Sequence, residues 1–141
     1  MRGSFGKDRR LRARPEFDRV QRGGVRVVSA HFVFLLAARE EQGPSRLGLV
    51  VSRKVGNAVA RNRVKRVCRE CFRLGVAALP DGIDLVLIAR SGAHTLGFDA
   101  CAREWGDVKR KLEKQALAAL AKAPPKPHVS AQSAEPAGPE A

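Results

Sequence analysis

A dense run of positive charge is the part of this sequence with the clearest chemical potential. Residues 53–74 (RKVGNAVARNRVKRVCRECFRL) hold eight arginines and lysines against one acid, Glu70. An arginine can direct two N–H groups onto one phosphate, so this run suits the binding of a polyanion. A solvated helix face is the alternative, but it predicts acids interleaved at i,i+4 spacing, and Glu70 is alone. The run therefore favours nucleic acid as the partner.

Acids and histidines that could catalyse a reaction are sparse and scattered. A metal-dependent nuclease needs carboxylates that converge on Mg²⁺, and a histidine-based ribonuclease needs two placed imidazoles. Asp84 is the one acid inside an apolar strand, and the sequence shows no evident partner for it. The other candidates are Glu40, Glu41, Asp81, Asp99, Glu104, Asp107, His31 and His94. We predict a binding protein with no catalytic residue and no metal site of its own.

Cys68 and Cys71 have the C-x-x-C spacing of redox and zinc sites, and Cys101 is the third cysteine. A redox pair belongs at a helix N-terminus, where the thiolate is stabilised, whereas these two fall inside a helical pattern on its apolar side. A zinc site would need two more ligands nearby, and the histidines are scattered. An odd number of cysteines also argues against a disulfide framework. We predict core cysteines in a reducing cytoplasm.

Length and charge indicate one basic domain. The chain has 141 residues, a formal net charge of +13 and a pI of about 11.0, in the range of nucleic-acid-binding proteins. No apolar run approaches the ~20 residues that span a bilayer, and residues 1–14 lack the apolar stretch of a signal peptide. We predict no membrane association and a single domain over residues 1–121. Residues 1–9 would form a basic, partly flexible arm, and residues 122–141 a disordered Pro/Ala-rich tail.

Periodicity and turn signals predict the elements before the basic run. A short helix is expected over residues 15–22, and strand structure over residues 25–38 with a break near Ser29. Residues 39–46 form a hairpin loop with a Gly-Pro turn signal. The next strand, residues 47–52, is expected to pair antiparallel with the strand before the loop.

The elements after the basic run complete a β-α-β unit. Residues 83–89 (IDLVLIA) are apolar apart from one acid, which predicts a central strand lying parallel to residues 47–52. Residues 90–97 form a loop, and residues 98–121 one long final helix that packs on the sheet. The apolar stripe of that helix comprises Phe98, Cys101, Trp105, Val108 and Leu112.

The basic run itself predicts one amphipathic helix with Asn57 as its N-cap. A helical wheel places apolar and basic residues on neighbouring arcs, so one face can pack on a core while the next is exposed. The apolar arc comprises Ala60, Val64, Val67, Cys68 and Cys71. The basic arc comprises Arg61, Asn62, Lys65, Arg66, Arg69 and Arg73, with Arg63 and Glu70 on the far rim.

Four aromatic side chains could pack in the core or stack on bases. Phe32 and Phe34 point to the same face of their strand, and Trp105 lies in the apolar stripe, so we assign all three to the core. Phe17 stands in a short helix with few apolar residues. Its ring is open to either role, since base stacking on an aromatic contributes about 1–3 kcal/mol.

Residues 54–70 (KVGNAVARNRVKRVCRE) resemble the K-x-G-N-A-V-x-R-N-R-x-K-R-x-x-R-E signature, the RNR motif, of the bacterial ribonuclease P protein component. Weaker agreement extends over residues 9–120. The resemblance implies an α/β (α+β) two-layer sandwich like the second domain of ribosomal protein S5. In that fold a four-stranded sheet packs against helices, and the elements follow the chain order α-β-β-β-α-β-α. It also implies a left-handed β-α-β crossover, although such crossovers are right-handed in about 98% of cases.

The resemblance further implies a function. The family protein binds a catalytic RNA, and the holoenzyme removes the 5′ leader of precursor tRNA by hydrolysis. The active site and its Mg²⁺ belong to the RNA, and no protein partner is evident. The positions that would contact RNA are Arg53, Lys54, Asn57, Arg61, Asn62, Arg63, Lys65, Arg66 and Arg69. Phe17 and Arg90 would line a leader cleft between the first helix and the sheet.

Two departures from the family pattern concern that cleft, and two other functions compete with the family's. A second aromatic after Phe17 is replaced near Gln21, and a strand aromatic of some members is matched about Leu35. Both departures predict weaker stacking on the leader or more reliance on charge. The competing functions are a non-enzymatic, ribosomal-type RNA-binding protein, which composition and charge fit equally well but the long motif does not, and a self-sufficient endoribonuclease, which the sparse acids disfavour.

Overall fold

The structure, a computed structural model, describes residues 9–11, 14–77 and 79–122. Most of the predicted arm and, except for Lys122, the predicted tail lie outside these residues. The elements are α1 (Arg14–Gly23), β1 (Val25–Val28), β2 (Phe32–Ala38), β3 (Arg46–Val50), α2 (Ala58–Arg73), β4 (Ile83–Ala89), α3 (Phe98–Asp107) and α4 (Lys109–Lys122), with a 3-10 turn over Ala93–Thr95. The predicted α/β sandwich with a four-stranded sheet is confirmed.

The sheet has the strand order β1-β2-β4-β3, with β4 antiparallel to β2 and parallel to β3. The prediction of a central β4 parallel to β3 is confirmed. The prediction that β3 pairs antiparallel with β2 is wrong, because β4 lies between them. The loop from β2 to β3 crosses the start of β4, where Gly82 N donates to Gly43 O at 2.7 Å. A continuous apolar strand is most stable buried on both faces, and here that strand is β4.

One face of the sheet, which we call the core face, carries Phe32, Phe34 and Leu36 and packs against α2, α3 and α4. The ring centroids of Phe34 and Trp105 lie 5.6 Å apart in an edge-to-face arrangement. All three aromatics assigned to the core are buried, as predicted. The opposite face, which we call the α1 face, is partly covered by α1, with a smaller core that includes Val20 and Leu35.

The predicted final helix is two helices, so that prediction is wrong in its continuity. α3 ends at Asp107 and α4 begins at Lys109. Gly106 lies just before the break, where its low helix propensity makes a change of direction inexpensive. Val108 N donates to Trp105 O at 3.2 Å, and Leu112 N donates to Val108 O at 2.9 Å. The break lets α3 pack on α2 while α4 lies across β1 and β2.

Residues 9–11 cover the outer edge of β3. Arg10 forms a parallel bridge with Leu47, and Leu11 N donates to Leu47 O at 3.0 Å. The guanidinium of Arg9 lies 4.9 Å from the ring centroid of Phe72, and its Nε donates to Ser45 O at 3.2 Å. An exposed strand edge invites pairing with other chains, and this segment blocks it. The last residue of the predicted basic arm is therefore docked on the fold.

Cys68, Cys71 and Cys101 are free and buried between α2 and α3, as predicted for core cysteines. A hydrogen bond with Cys101 and burial together raise the pKa of the Cys71 thiol. A hydrogen bond to Cys68 together with burial raises the pKa of Cys101. Since the thiolate is the reactive form, both thiols should be inert in the folded protein.

Thiol labelling tests this inertness. In the folded protein, 5,5′-dithiobis(2-nitrobenzoic acid) should label none of the three cysteines within an hour at pH 8, because burial excludes the reagent. In guanidinium chloride all three should react within minutes. Rapid labelling of one or more thiols in the native protein, at a rate independent of unfolding, would contradict the assignment.

Candidate nucleic-acid interface

α2 begins where the sequence predicts. Asn57 is the N-cap, with φ −74° and ψ −177°, and its Oδ1 accepts a hydrogen bond from Ala60 N at 2.9 Å. No acid stands in the first turn. No carboxylate of the first turn therefore neutralises the partial positive charge of the helix N-terminus. This charge adds to the attraction for an anion.

The buried side of α2 fixes which of its residues face outward. Val64, Cys68 and Cys71 are buried as predicted, and Ala60 and Val67 are half-buried. Phe72 is also buried, which the predicted apolar arc did not include. Its ring fills the space below Arg9, a contact that depends on a distant segment. The rest of the helix surface is free to meet a partner.

The predicted RNA-binding residues of α2 and the turn before it form one surface, which we call the basic face. Arg61 and Lys65 are half-exposed. The exposed residues are Arg53, Lys54, Asn57, Asn62, Arg63, Arg66 and Arg69. Within the described ranges, Arg73 is the one cation of α2 held in an ion pair; it contacts Glu70, and this hydrogen bond lowers the pKa of Glu70. The remaining cations of the basic face are available to an external anion.

Phe17 of α1 lies on the α1 face of the sheet, directly over Gly48 of β3. A Cβ at Gly48 would stand 2.6 Å from Phe17 Cζ and 3.0 Å from Leu11 Cβ, closer than carbon atoms approach. Glycine at this position therefore lets the ring lie against the backbone of β3. Phe17 remains half-buried, so part of its ring is open to solvent.

A buried ion network fixes α1 to the sheet, and the sequence reasoning missed it. Asp84 is 0% exposed, and its Oδ1 and Oδ2 accept hydrogen bonds from Nε and Nη2 of Arg46 at 2.8 Å each. Arg19 of α1 also donates to Asp84, and Arg46 pairs with Glu16 at 3.1 Å. Contrary to the sequence prediction, Asp84 therefore has two cationic partners.

The pKa values of two arginines shift at this end of the sheet. The hydrogen bond to Asp84 raises the pKa of Arg46. Burial together with the charge of Arg46 lowers the pKa of Arg39, the residue that follows β2. A signal for the network was present in the sequence, because an acid inside a buried strand needs a cation. Arg46 stands directly beside Asp84 in the parallel register, but that register was not known in advance.

Next to α1, one row of aliphatic side chains crosses all four strands and stays partly open. We call Val28, Val33, Ile88 and Val50 the open strip. Val28 pairs with Val33, Val33 with Ile88, and Ile88 with Val50, so all four point to the α1 face. Val28 is 45% exposed and the other three are half-buried. Strands lie about 4.8 Å apart, which makes the strip about 14 Å wide.

The two predicted leader-binding residues stand at opposite sides of the open strip. Phe17 covers Gly48, which pairs with Val86. Arg90 lies four residues beyond Val86, about 13 Å along the strand. Arg90 is exposed, and its Nη1 donates to Ser29 O at 3.0 Å. The two residues thus flank one surface without touching each other.

Neither a metal-ligand cluster nor a membrane-spanning helix occurs among the described residues. Among residues 9–11, 14–77 and 79–122, no three His, Cys, Asp or Glu side chains are grouped so that they could hold a metal ion. No helix in that part of the chain has the length and apolar character needed to cross a bilayer.

Comparisons with known proteins agree on one family. The family model Ribonuclease P matches residues 5–113. The ribonuclease P protein component of Gluconacetobacter diazotrophicus is 42% identical over 106 residues, which cover 74% of this chain and 89% of that protein. The solved RNase P protein of Thermotoga maritima has a TM-score of 0.64 at 32% identity, covering 72% of this chain and 96% of that one. That of Staphylococcus aureus has a TM-score of 0.59 at 28% identity, with coverage of 84% and 97%. The chain therefore belongs to the ribonuclease P protein component family.

Proposed function

We propose that this protein, as the protein component of ribonuclease P, uses its two faces for two RNAs. The basic face of α2 docks on the catalytic RNA, and the open strip of the α1 face holds the 5′ leader of precursor tRNA. The observation that carries the proposal is the unpaired basic face, whose cations have no acid within the described protein to neutralise them. The protein would act in the cytoplasm, where tRNA precursors are made.

The catalytic RNA is the partner that the basic face fits best. Its cations lie on one rigid helix whose opposite side is buried, so a folded polyanion can meet them together. Arginine predominates there, and its planar guanidinium can pair with a phosphate or stack on a base. The turn with Arg53 and Lys54 extends the surface from the end of β3 to the start of α2.

The leader is the partner that the open strip fits best. The strip is about 14 Å across, a dimension that suits a single strand of RNA. Apolar side chains can contact bases and riboses without reading sequence, and the exposed part of Phe17 offers one stacking surface. Arg90 stands at the end of the strip, where it can meet a phosphate.

The hydrolytic site lies in the RNA under this proposal, and so does its Mg²⁺. Asp84, the candidate carboxylate inside an apolar strand, pairs with two arginines of the network, and outside the candidate set Glu16 pairs with Arg46 and Glu70 with Arg73. Mg²⁺ prefers carboxylate and phosphate oxygens, and the RNA supplies the latter in abundance. The protein's contribution is to hold both RNAs and reduce their mutual repulsion.

Reconstitution tests the proposal. Precursor tRNA with a leader is incubated in low Mg²⁺ with the protein alone, with the catalytic RNA alone and with both. Cleavage at the 5′ end of the mature tRNA is expected with both. Cleavage by the protein alone would establish a self-sufficient nuclease instead. The absence of any enhancement by the protein would favour a structural RNA-binding role of the ribosomal type.

The capping and RNA-binding roles of Asn57 can be separated by two substitutions. Asn57→Ser keeps a capping oxygen for Ala60 N but loses the amide donor, so stability should hold while affinity for the catalytic RNA falls roughly 2- to 5-fold. Asn57→Ala should in addition lower the free energy of unfolding by about 1 kcal/mol. Urea unfolding and filter binding measure the two effects. Wild-type RNA affinity in Asn57→Ser would restrict Asn57 to capping.

A further inference from the structure

His31 lies in the turn between β1 and β2, at the border of the open strip. It follows Val28 and precedes Val33, the two residues of the strip that pair across the turn. Arg90 N donates to His31 O at 2.8 Å, which brings the end of β4 to the same turn. The turn therefore borders the open strip at the ends of β1, β2 and β4.

Glu104 of α3 holds His31 in one orientation. Its Oε1 lies 2.7 Å from His31 Nδ1, and its Oε2 accepts from His31 N at 2.7 Å and also from the Ser29 hydroxyl. Burial opposes the ionisation of Glu104, but hydrogen bonds from Ser29 and His31 outweigh it and lower the pKa of this carboxyl. The acid is therefore ionised, and it faces Nδ1 of the ring.

The second ring nitrogen, Nε2, is left for another partner. The His31 side chain is 30% exposed, and Nε2 lies toward Gly92, 3.7 Å from where a Cβ of that glycine would stand. Among the described residues, no group bonds to Nε2. Anchoring the turn also uses the Ser29 hydroxyl and the His31 amide, so the turn stays bound to Glu104 when the imidazole is neutral.

We propose that His31 is a protonation-dependent contact for an RNA phosphate at the border of the open strip. The contact rests on the proposed function, which brings RNA to this face. Glu104 fixes the ring through Nδ1, and the protonated ring donates from Nε2 to a phosphodiester oxygen beside Arg90. Glu104 is the positioning residue for this contact.

Charge at the turn supports the contact. The groups that face His31 are Glu104 from α3 and Arg90 from the end of β4. Arg103 and Asp107 of α3 line the cavity beside Ser29 and Ala30, and their opposite charges offset each other. With a protonated ring, His31 and Glu104 together are neutral and Arg90 leaves the turn positive. With a neutral ring, Glu104 offsets Arg90 and the attraction for a phosphate is lost. Imidazoles change charge between about pH 5 and 8, so RNA binding should weaken across that range.

The test compares wild-type protein with His31→Asn, whose amide can still donate to Glu104 from the position of Nδ1 but has no counterpart of Nε2. One arm measures the affinity of the protein for the catalytic RNA from pH 5.5 to 8. The other measures how much the holoenzyme prefers leader-bearing over leaderless tRNA across the same range. The leaderless reference cancels effects of pH on RNA–RNA contacts.

In one of the two arms, the measured quantity (the affinity for the catalytic RNA or the preference for leader-bearing tRNA) should fall roughly 5-fold between pH 5.5 and 8 for the wild type. The same quantity should not change with pH for His31→Asn. The arm that responds identifies the source of the phosphate. His94→Asn is the control and should keep the wild-type response. An equal pH response in wild type and His31→Asn, or a flat wild type, would overturn the contact. A leader preference that persists in those cases would leave the proposed function standing.

A measurement on the wild-type protein covers the possibility that His31→Asn folds poorly. The imidazole signals of His31 are followed by NMR from pH 5.5 to 8 with and without the RNA that responds. A phosphate at Nε2 should shift the ring signals of His31 in the RNA complex at pH 5.5 but not at pH 8, while those of His94 stay unchanged. His31 signals that do not respond to RNA at pH 5.5 would refute the contact.

Discussion

Replacing Arg61, Lys65 and Arg69 together by glutamine is expected to weaken binding to the catalytic RNA roughly 100-fold at 50 mM salt. This factor corresponds to about 1 kcal/mol of net binding free energy for each lost contact, at 1.4 kcal/mol for each factor of ten. The slope of log affinity against log salt should become shallower by about 2 to 3, because three fewer phosphates are neutralised. Filter binding between 50 and 200 mM salt measures both quantities.

Stability should hardly change in this triple variant. None of the three side chains belongs to the core, and none is in an ion pair within the described ranges. Removing like charges from one helix also lessens their mutual repulsion. A urea unfolding midpoint equal to or above that of the wild type would show that the loss of binding is not a loss of fold.

A matched control removes the same charge elsewhere. Arg110, Lys111 and Lys114 are exposed on α4, which packs on β1 and β2 and lies outside the basic face. Their joint replacement by glutamine lowers the net charge equally but should reduce affinity only a few-fold, through long-range attraction. If both triple variants lost affinity and salt dependence equally, the basic face would be no more than part of a diffuse positive field.

The basic face could be predicted because everything that defines it is local. The N-cap at Asn57, the 3.6-residue period of Val64, Cys68 and Cys71, and the lack of acids are all read within one segment. The central position of β4 was predictable for a similar reason, since a continuous apolar strand needs cover on both sides. Local patterns therefore fixed the helix that carries the basic face and the centre of the sheet.

The α1 face was less predictable because it depends on register and distant contacts. Val28, Val33, Ile88 and Val50 form a strip only once β4 has separated β2 from β3. The sequence reasoning expected those two strands to pair, which would have produced a different surface. Likewise, α3 and α4 separate at Val108 because of what each packs against, and the apolar period runs across the break.

The polar groups around the strip were the hardest to anticipate. Asp84 contacts Arg19 of α1 and Arg46 of β3, and His31 contacts Glu104 of α3, which is 73 residues away in the chain. A lone acid in an apolar strand signals that a cation must come from somewhere. It does not identify the cation, because many arginines in this basic chain could serve.

Asp84→Asn is expected to lower the free energy of unfolding by about 3 kcal/mol. Asp84 is fully buried, whereas the side chains of Arg19 and Arg46 keep 28% and 17% of their exposure. Removing the acid leaves two cations side by side at the edge of a core without their counterion. Glu16, which pairs with Arg46, carries one negative charge and can neutralise only part of the charge of the two arginines. Urea unfolding measures the change, and Asp81→Asn, an exposed neighbour, is the matched control and should lie within about 0.5 kcal/mol of wild type.

The same substitution should distinguish the two proposed RNA partners. The network holds α1, and with it Phe17, over the α1 face, whereas α2 packs on the opposite face of the sheet. At a temperature where Asp84→Asn is still folded, the preference of the holoenzyme for leader-bearing tRNA should fall several-fold, and the affinity for catalytic RNA should stay near wild type. Equal losses of both affinities in the folded variant would mean that Asp84 does not act through the position of α1. An unchanged free energy of unfolding would mean that water solvates the two arginines as favourably as Asp84 pairs with them.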